Sequence, residues 1–334
     1  DKLYYTIFRC LPCRTVSEER GVEMRVLFLG SPSFAVHALE ALIAAGHEIV
    51  GVVTQPDRPA GRERRLTPPP VKVAAQAHNL PVLQPETLRD PVVIDALSAL
   101  QPEVGVVAAY GEILRRAVLQ IPPLGYLNIH PSLLPLYRGP TPVAGAILAG
   151  ETVTGVTIML LDPGMDSGPI LAQAVVDLPP TARTGPLTDE LFRIGAQLLV
   201  ETLPRYARGE IEPRPQDHSR ATVTKMLKKE DGCIDWSLPA IVIERMTRAY
   251  DPWPSAYTFW RGQSLRIISA AVVANESTAS PGTVIGRSER GHPLVQTGSD
   301  ALELVEVQPA SRRAMSGSAW LAGIHADTIQ LGNG

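Results

Sequence analysis

Residues 127–135 read LNIHPSLLP, an apolar, β-prone run that ends at a proline. The pattern predicts a buried strand that delivers Asn128 and His130 to its mouth and then breaks into a loop. Residues two apart on a strand project from one face. Asn128 and His130 therefore aim an amide donor and an imidazole at one spot.

Downstream, residues 155–168 read GVTIMLLDPGMDSG, a β-branched strand running into a turn that holds Asp162, Asp166 and Gly168. Turn chemistry at a strand end is where α/β enzymes place reactive groups. A carboxylate near an imidazole orients it and raises its basicity. Asn128, His130 and Asp166 thus form a candidate catalytic set of oxyanion donor, general acid/base and orienting carboxylate. A lone His on an apolar strand is more often a satisfied core residue. Here the spacing, the loop that follows and the acidic turn favour the functional reading.

Strand and helix patterns alternate from Met24 onward. Arg25 to Leu29 and Ile49 to Val53 read as buried strands around a helix with Phe34, Ala38, Leu39, Leu42 and Ile43 on its apolar face. Further strands are expected at Val82 and Leu83, at Val104 to Ala108 and at Ile170 to Leu178. Helices are expected over Pro70 to His78, around Val92 to Leu100, through Ile113, Leu114, Ala117 and Val118, over Thr141 to Gly150, and from a Thr184 cap through Leu203. The fold class is therefore α/β, a Rossmann-like, doubly wound, mostly parallel sheet. Pro32 and Phe34 stand where a G-x-G-x-x-G turn needs glycines, which excludes nicotinamide dinucleotide binding there. Periodicity is lost over residues 208–222, which read as a linker. Beyond it a helix from Pro239 to Tyr250 precedes five β-prone runs, at 256–260, 264–273, 282–285, 294–297 and 302–307, suggesting a small barrel. Trp236 and Trp253 are expected to anchor its core.

With 334 residues, 45% hydrophobic and 19% charged, the chain is long enough for two cores. A formal net charge of −3 excludes a globally basic nucleic-acid binder, so any such contact must be a local patch. No apolar run reaches the roughly 18 to 20 residues that span a bilayer, and no signal-peptide pattern is present, so no membrane partner is expected. Three cysteines make no disulfide framework and suit a reducing, cytoplasmic setting. The His residues lack partners at ligand spacing, and no metal is expected. Residues 1–23, with Cys10 and Cys13 as a lone CxxC, fit nothing that follows and are expected to be an extension without a catalytic role.

Asn128-Ile129-His130, then Ser132-Leu133-Leu134-Pro135, Arg138-Gly139 and Met165-Asp166-Ser167-Gly168 together resemble the formyltransferases that use 10-formyltetrahydrofolate. The likeness runs from about Met24 to about Leu321. It extends to TQPDRPAGR at 54–62, IDWSL at 234–238 and PWP at 252–254, which point to the branch acting on methionyl-tRNA. The resemblance implies that Asn128, His130 and Asp166 are the catalytic residues and that Ser132, Leu133, Leu134 and Pro135 form the folate-binding loop. It also implies a catalytic domain over 24–207, with an OB-like, tRNA-binding domain over 223–330. A glycine at a strand's carboxyl end lets backbone approach a ligand, so Tyr110 and Gly111 are further folate candidates. The long Pro-rich segment Thr54 to Lys72 carries Arg58, Arg62, Arg64, Arg65 and Lys72 against Asp57 and Glu63. It reads either as a solvated loop or, as the resemblance implies, as a basic loop clasping the acceptor end of tRNA through phosphates.

The second domain is not basic overall, with 13 Lys+Arg against 14 Asp+Glu over residues 209–334. Only a patch from Lys225, Lys228, Lys229, Arg245, Arg248, Arg312 and Arg313 could serve tRNA there. The implied reaction moves a formyl group from the folate nitrogen to the α-amino group of methionine on initiator tRNA, by a chain acting as a monomer. Alternatives are an N-formyltransferase acting on an amino-sugar nucleotide or other small amine, a tRNA-binding module without catalysis, and a folate hydrolase.

Overall fold

A computed structural model describes residues 23–60, 65–326 and 328–332. The first lobe runs β1 (Arg25–Gly30), α1 (Val36–Ala44), β2 (Glu48–Val53), β3 (Arg58–Ala60), β4 (Arg65–Thr67), α2 (Pro70–Ala77), β5 (Val82–Leu83), α3 (Pro91–Ala99) and β6 (Val104–Ala108). It continues with α4 (Arg116–Leu119), β7 (Tyr126–His130), α5 (Pro142–Ala149), β8 (Val153–Leu160), β9 (Ile170–Asp177) and α6 (Thr184–Ala207). Seven strands form one sheet in the order β5-β2-β1-β6-β7-β8-β9. The first five run parallel, whereas β8 lies antiparallel to both β7 and β9. Strand order reverses between β1 and β6, the switch point beside which open α/β sheets bind ligands at the carboxyl ends of their strands.

The period of two in the strands places the core. Val26 and Phe28 of β1 enter the cluster built on α1 and α6, while Leu27 and Leu29 pack on the opposite face with Leu97 of α3. In β7, Leu127 and Ile129 join the α6 side and Tyr126 the other. Asn128 and His130 therefore share the face of Tyr126. Burying each such aliphatic side chain contributes about 1.5 to 3 kcal/mol, so the strand's apolar positions decide which way its polar ones point.

The second lobe holds α7 (Ala240–Ala249), β10 (Tyr257–Trp260), β11 (Gln263–Val273), β12 (Val284–Arg287), β13 (Pro293–Gln296), β14 (Ala301–Pro309), β15 (Met315–Ser316) and α8 (Gly317–Ala322). Its antiparallel sheet has the order β10-β11-β14-β13-β12, with β15 on β14. The chain then returns to bridge the two outer strands. Val284 N–H donates to Ile329 O, Leu331 N–H to Gly282 O and Gly332 N–H to Phe259 O, which closes the sheet on itself. Val143 and Ile147 of α5 and Leu187 and Leu191 of α6 pack in one cluster with Trp236, Ile243 and Leu304, so the lobes share apolar core.

Several local expectations are corrected. Ile113 is 73% exposed and precedes a helix of only four residues, whose Val118 is buried and whose Leu119 packs beside it on the core. Thr184 is the first helical residue rather than the cap, and its hydroxyl donates to Ala249 O. Trp236 is buried, with its indole N–H on Thr258 Oγ1, but Trp253 is 55% exposed and anchors no core. Residues 1–22 and 61–64, which include Cys10, Cys13, Arg62, Glu63 and Arg64, lie outside the described residues.

Candidate active site

The strand β7 ends at His130, with Asn128 two residues before it, both buried. His130 Nε2 lies 2.9 Å from Tyr137 O. A carbonyl only accepts, so Nε2 carries the proton and the neutral ring leaves Nδ1 with its lone pair. That nitrogen faces Asp166 Oδ2 at 3.7 Å, a gap longer than a direct hydrogen bond. Burial holds the His130 pKa below its ordinary value, opposed by the Asp166 charge and by the bond to Tyr137 O. The ring is therefore neutral near pH 7. Its Nδ1 and the Asp166 carboxylate present adjoining acceptors, a pair that suits an incoming amine.

Asp166 is carried on the loop between β8 and β9 at φ +47°, the left-handed region. Its Oδ2 also accepts the Gly139 N–H at 2.8 Å. Gly139 has φ +96°, and a Cβ there would stand 2.6 Å from Thr224 O. Only glycine lets the backbone come close enough to hold that carboxylate. Asp162 braces the turn by accepting from Gly164 N–H and Ser167 Oγ. The Asn128 amide makes no hydrogen bond to another group among the described residues, which leaves it as a free donor on the same strand face.

The loop after β7 is pinned to β8 and β9. Thr157, wholly buried, donates to Ser132 O at 2.7 Å and accepts from Leu134 N–H at 3.2 Å and Gln173 Nε2 at 3.0 Å. Gln173 Nε2 also donates to Leu134 O. Ser132 turns its hydroxyl inward onto Leu136 O, and Leu134 is buried beside Met159 and Ile170. The loop can therefore offer a ligand only backbone groups, Leu133 and Pro135. Just past the carboxyl end of β6, Tyr110 is buried, its hydroxyl lacks a partner among the described residues, and burial pushes its pKa up to about 12. Its carbonyl accepts from Gln55 Nε2. Gly111 is exposed at φ +91°, with nothing within 4 Å of a Cβ placed on it, so the backbone there is open to a flat ligand.

Two family models match the chain, one described as formyl transferase over residues 24–203 and one as the formyl transferase C-terminal domain over 226–325. Methionyl-tRNA formyltransferase of Chloroflexus aurantiacus is 89% identical over 92% of this chain and 100% of its own length. The enzyme of the same name from a Roseiflexus species is 63% identical over 90% of this chain and 93% of its own. The chain belongs to the formyltransferase family. Among solved structures, an N-formyltransferase of Helicobacter canadensis bound to folinic acid and dTDP-3-aminofucose superposes with a TM-score of 0.63 at 16% identity, covering 87% of this chain and 100% of that one. HypX of Aquifex aeolicus with tetrahydrofolic acid gives 0.59 at 19% identity, covering 92% of this chain and 51% of that one. At such identities these two likenesses establish the fold.

The segment expected to clasp tRNA is a β3–β4 hairpin, with Arg58 opposite Thr67. Arg58 and Arg65 are exposed on it. Lys72 leaves the expected basic surplus, because it pairs with Asp57 at 2.8 Å at the root of the hairpin, where Gln84 also donates to Asp57. Those bonds hold the Asp57 carboxyl below its usual range. In the second lobe, Lys225 pairs with Asp231, Arg248 with Glu244, and Arg245 donates to Ala149 O. Arg312 and Arg313 instead line a polar depression of about 590 Å³ together with Arg266.

Sequence reasoning missed Thr157 and Gln173, which hold the loop, and Gln216, which is buried behind Asp166. The first two lie in strands that read as packing, and Gln216 lies in a Pro-rich stretch with no periodic signal. Among the described residues, no three His, Cys, Asp or Glu side chains gather as metal ligands. No helix there is long and apolar enough to cross a membrane.

Proposed function

We propose that this chain transfers the formyl group of 10-formyltetrahydrofolate to the α-amino group of methionine esterified to initiator tRNA, as a monomer in the cytoplasm where charged tRNA is used. The observation that carries the chemistry is the unprotonated His130 Nδ1 beside the Asp166 carboxylate, with the free Asn128 amide on the same strand face. Relatives that bear the methionyl-tRNA name at 63 to 89% identity along nine-tenths of the chain favour this acceptor over an amino-sugar nucleotide. The open backbone at Gly111 and the loop Ser132 to Pro135 suit the flat ring of the folate donor.

The donor supplies a formyl carbon already activated by its nitrogen. Asn128 donates to the oxygen that gains negative charge as the amine approaches, at a site buried enough to strengthen that bond. His130 Nδ1 takes the proton that the amine must lose and returns it to the folate nitrogen as the bond between that nitrogen and the formyl carbon breaks. In between, the nearby Asp166 carboxylate stabilises the imidazolium, while Tyr137 O fixes the ring's orientation through Nε2. Arg58, Arg62, Arg64 and Arg65 hold the acceptor end of the tRNA by phosphate contacts.

The test offers purified protein and 10-formyltetrahydrofolate to methionyl initiator tRNA, glycinamide ribonucleotide and an amino-sugar nucleotide in parallel. Only the tRNA should be formylated, and Asn128→Ala or His130→Ala should slow that reaction by about two orders of magnitude. Formylation of the sugar nucleotide in preference to the tRNA, or an undiminished His130→Ala rate, would overturn the reading.

A further inference from the structure

Gln216 belongs to the segment that carries the chain from α6 toward the second lobe, and its side chain is buried. Its Oε1 accepts from Arg138 Nε at 3.0 Å and from Nη2 at 2.7 Å. Its Nε2 donates to Asp166 O at 2.9 Å and to Gly168 O at 2.7 Å. The chemistry permits one orientation. A flipped amide would set its oxygen against two carbonyls and its NH₂ against a guanidinium.

The two donated bonds fall on the carbonyl of the left-handed Asp166 and on Gly168 O two residues later, and so hold the loop in a conformation that most L residues avoid. The accepted bonds fall on Arg138, the residue before Gly139, whose N–H holds the Asp166 carboxylate. Arg138 is itself buried, and among the described residues its guanidinium meets no carboxylate but Gln216 Oε1 and His218 Nδ1. A few residues further on, the same segment pairs with the Arg138 backbone. Arg138 N–H donates to Thr222 O, Thr224 N–H donates to Arg138 O, and Tyr137 N–H donates to Thr222 Oγ1. Tyr137 is also the residue whose carbonyl orients His130.

We infer that Gln216 is a positioning residue for formyl transfer, which ties the Asp166 loop to the Arg138–Gly139 loop and so sets the Asp166 carboxylate against His130. The inference rests on the reading of His130 and Asp166 given above. It makes the crossing between the lobes a part of the active site, although none of its side chains reaches the reacting atoms.

Gln216→Met keeps the length of the side chain and removes both kinds of hydrogen bond. Gln216→Glu keeps the acceptor for Arg138 and turns the donor into an acceptor facing two carbonyls. Each should lower kcat at least tenfold with the KM for the formyl donor within about twofold of wild type, measured well below the melting temperature. In Gln216→Met the acid limb of the rate profile should also move to lower pH, because the charge that raises the His130 pKa has been displaced. In an Asp166→Asn background, Gln216→Met should cost less than a further twofold, since both changes act on one carboxylate. A lowered melting temperature with wild-type kcat and an unmoved acid limb, or losses that multiply in the double variant, would overturn the inference. If Gln216→Met fails to fold, the kcat of Gln216→Glu decides. An Asp166→Asn enzyme of wild-type rate would instead overturn the catalytic reading itself, whereas a slow Asp166→Asn beside an unimpaired Gln216→Met would overturn only the role of Gln216.

Discussion

Replacing Thr157 with Val removes one hydroxyl and leaves the side chain's shape almost unchanged. In the wholly buried site between β8 and the loop after β7, that hydroxyl makes three hydrogen bonds, to Ser132 O, from Leu134 N–H and from Gln173 Nε2. Gln173 keeps its bond to Leu134 O, so two backbone groups, Ser132 O and Leu134 N–H, lose their side-chain partner in a buried setting. Each such loss costs about 1 to 3 kcal/mol. The additional buried methyl offsets up to about 0.8 kcal/mol. The expected loss is about 1 to 5 kcal/mol, read as a lower urea midpoint at unchanged slope. Because the same bonds pin the loop proposed to meet the folate, donor affinity should fall about tenfold, equivalent to about 1.4 kcal/mol, in a direct binding titration. A variant with wild-type donor affinity and less than about 0.5 kcal/mol of lost stability would refute this account and show the loop to be held by other groups.

Two further predictions concern charge. Arg58 stands exposed on the β3–β4 hairpin and makes no ion pair among the described residues, so Arg58→Ala should weaken tRNA binding. The log–log salt slope should fall by about one unit or less, with folate affinity unchanged; equal binding across a salt titration would return the hairpin to a merely solvated role. The buried His130 gives a pH signature with a fixed sign. Its folded-state pKa lies below the value of about 6.5 expected for the unfolded chain, so between the two the unfolded chain binds the extra proton. The stability it leaves intact above about pH 6.5 is lost as pH falls toward the folded-state pKa, and His130→Gln should flatten that part of a melting-temperature curve taken from pH 5 to 8. An unchanged slope in the variant would contradict the buried, neutral assignment.

What the chain's order alone determined was local and periodic. The alternation in β1, β6 and β7 places apolar residues on opposite sheet faces two by two, and that rule puts Asn128 and His130 on one side without any knowledge of their neighbours. Turn residues after β8 marked the Asp166 loop for the same reason, since Gly and Asp near a strand end act within a few residues. Tertiary structure decided what depends on partners distant in sequence. Lys72 finds Asp57 and leaves the basic set, Trp253 turns outward while Trp236 turns in, and the tail near Gly332 closes a sheet begun at Phe259. The His130 tautomer follows from the Tyr137 carbonyl, seven residues on but returned to the ring by a folded loop. Gln216 meets Asp166 across 50 residues and Arg138 across 78. A polar side chain shows no periodicity of its own, so its role becomes visible only when folding brings the groups it bonds to within about 3 Å.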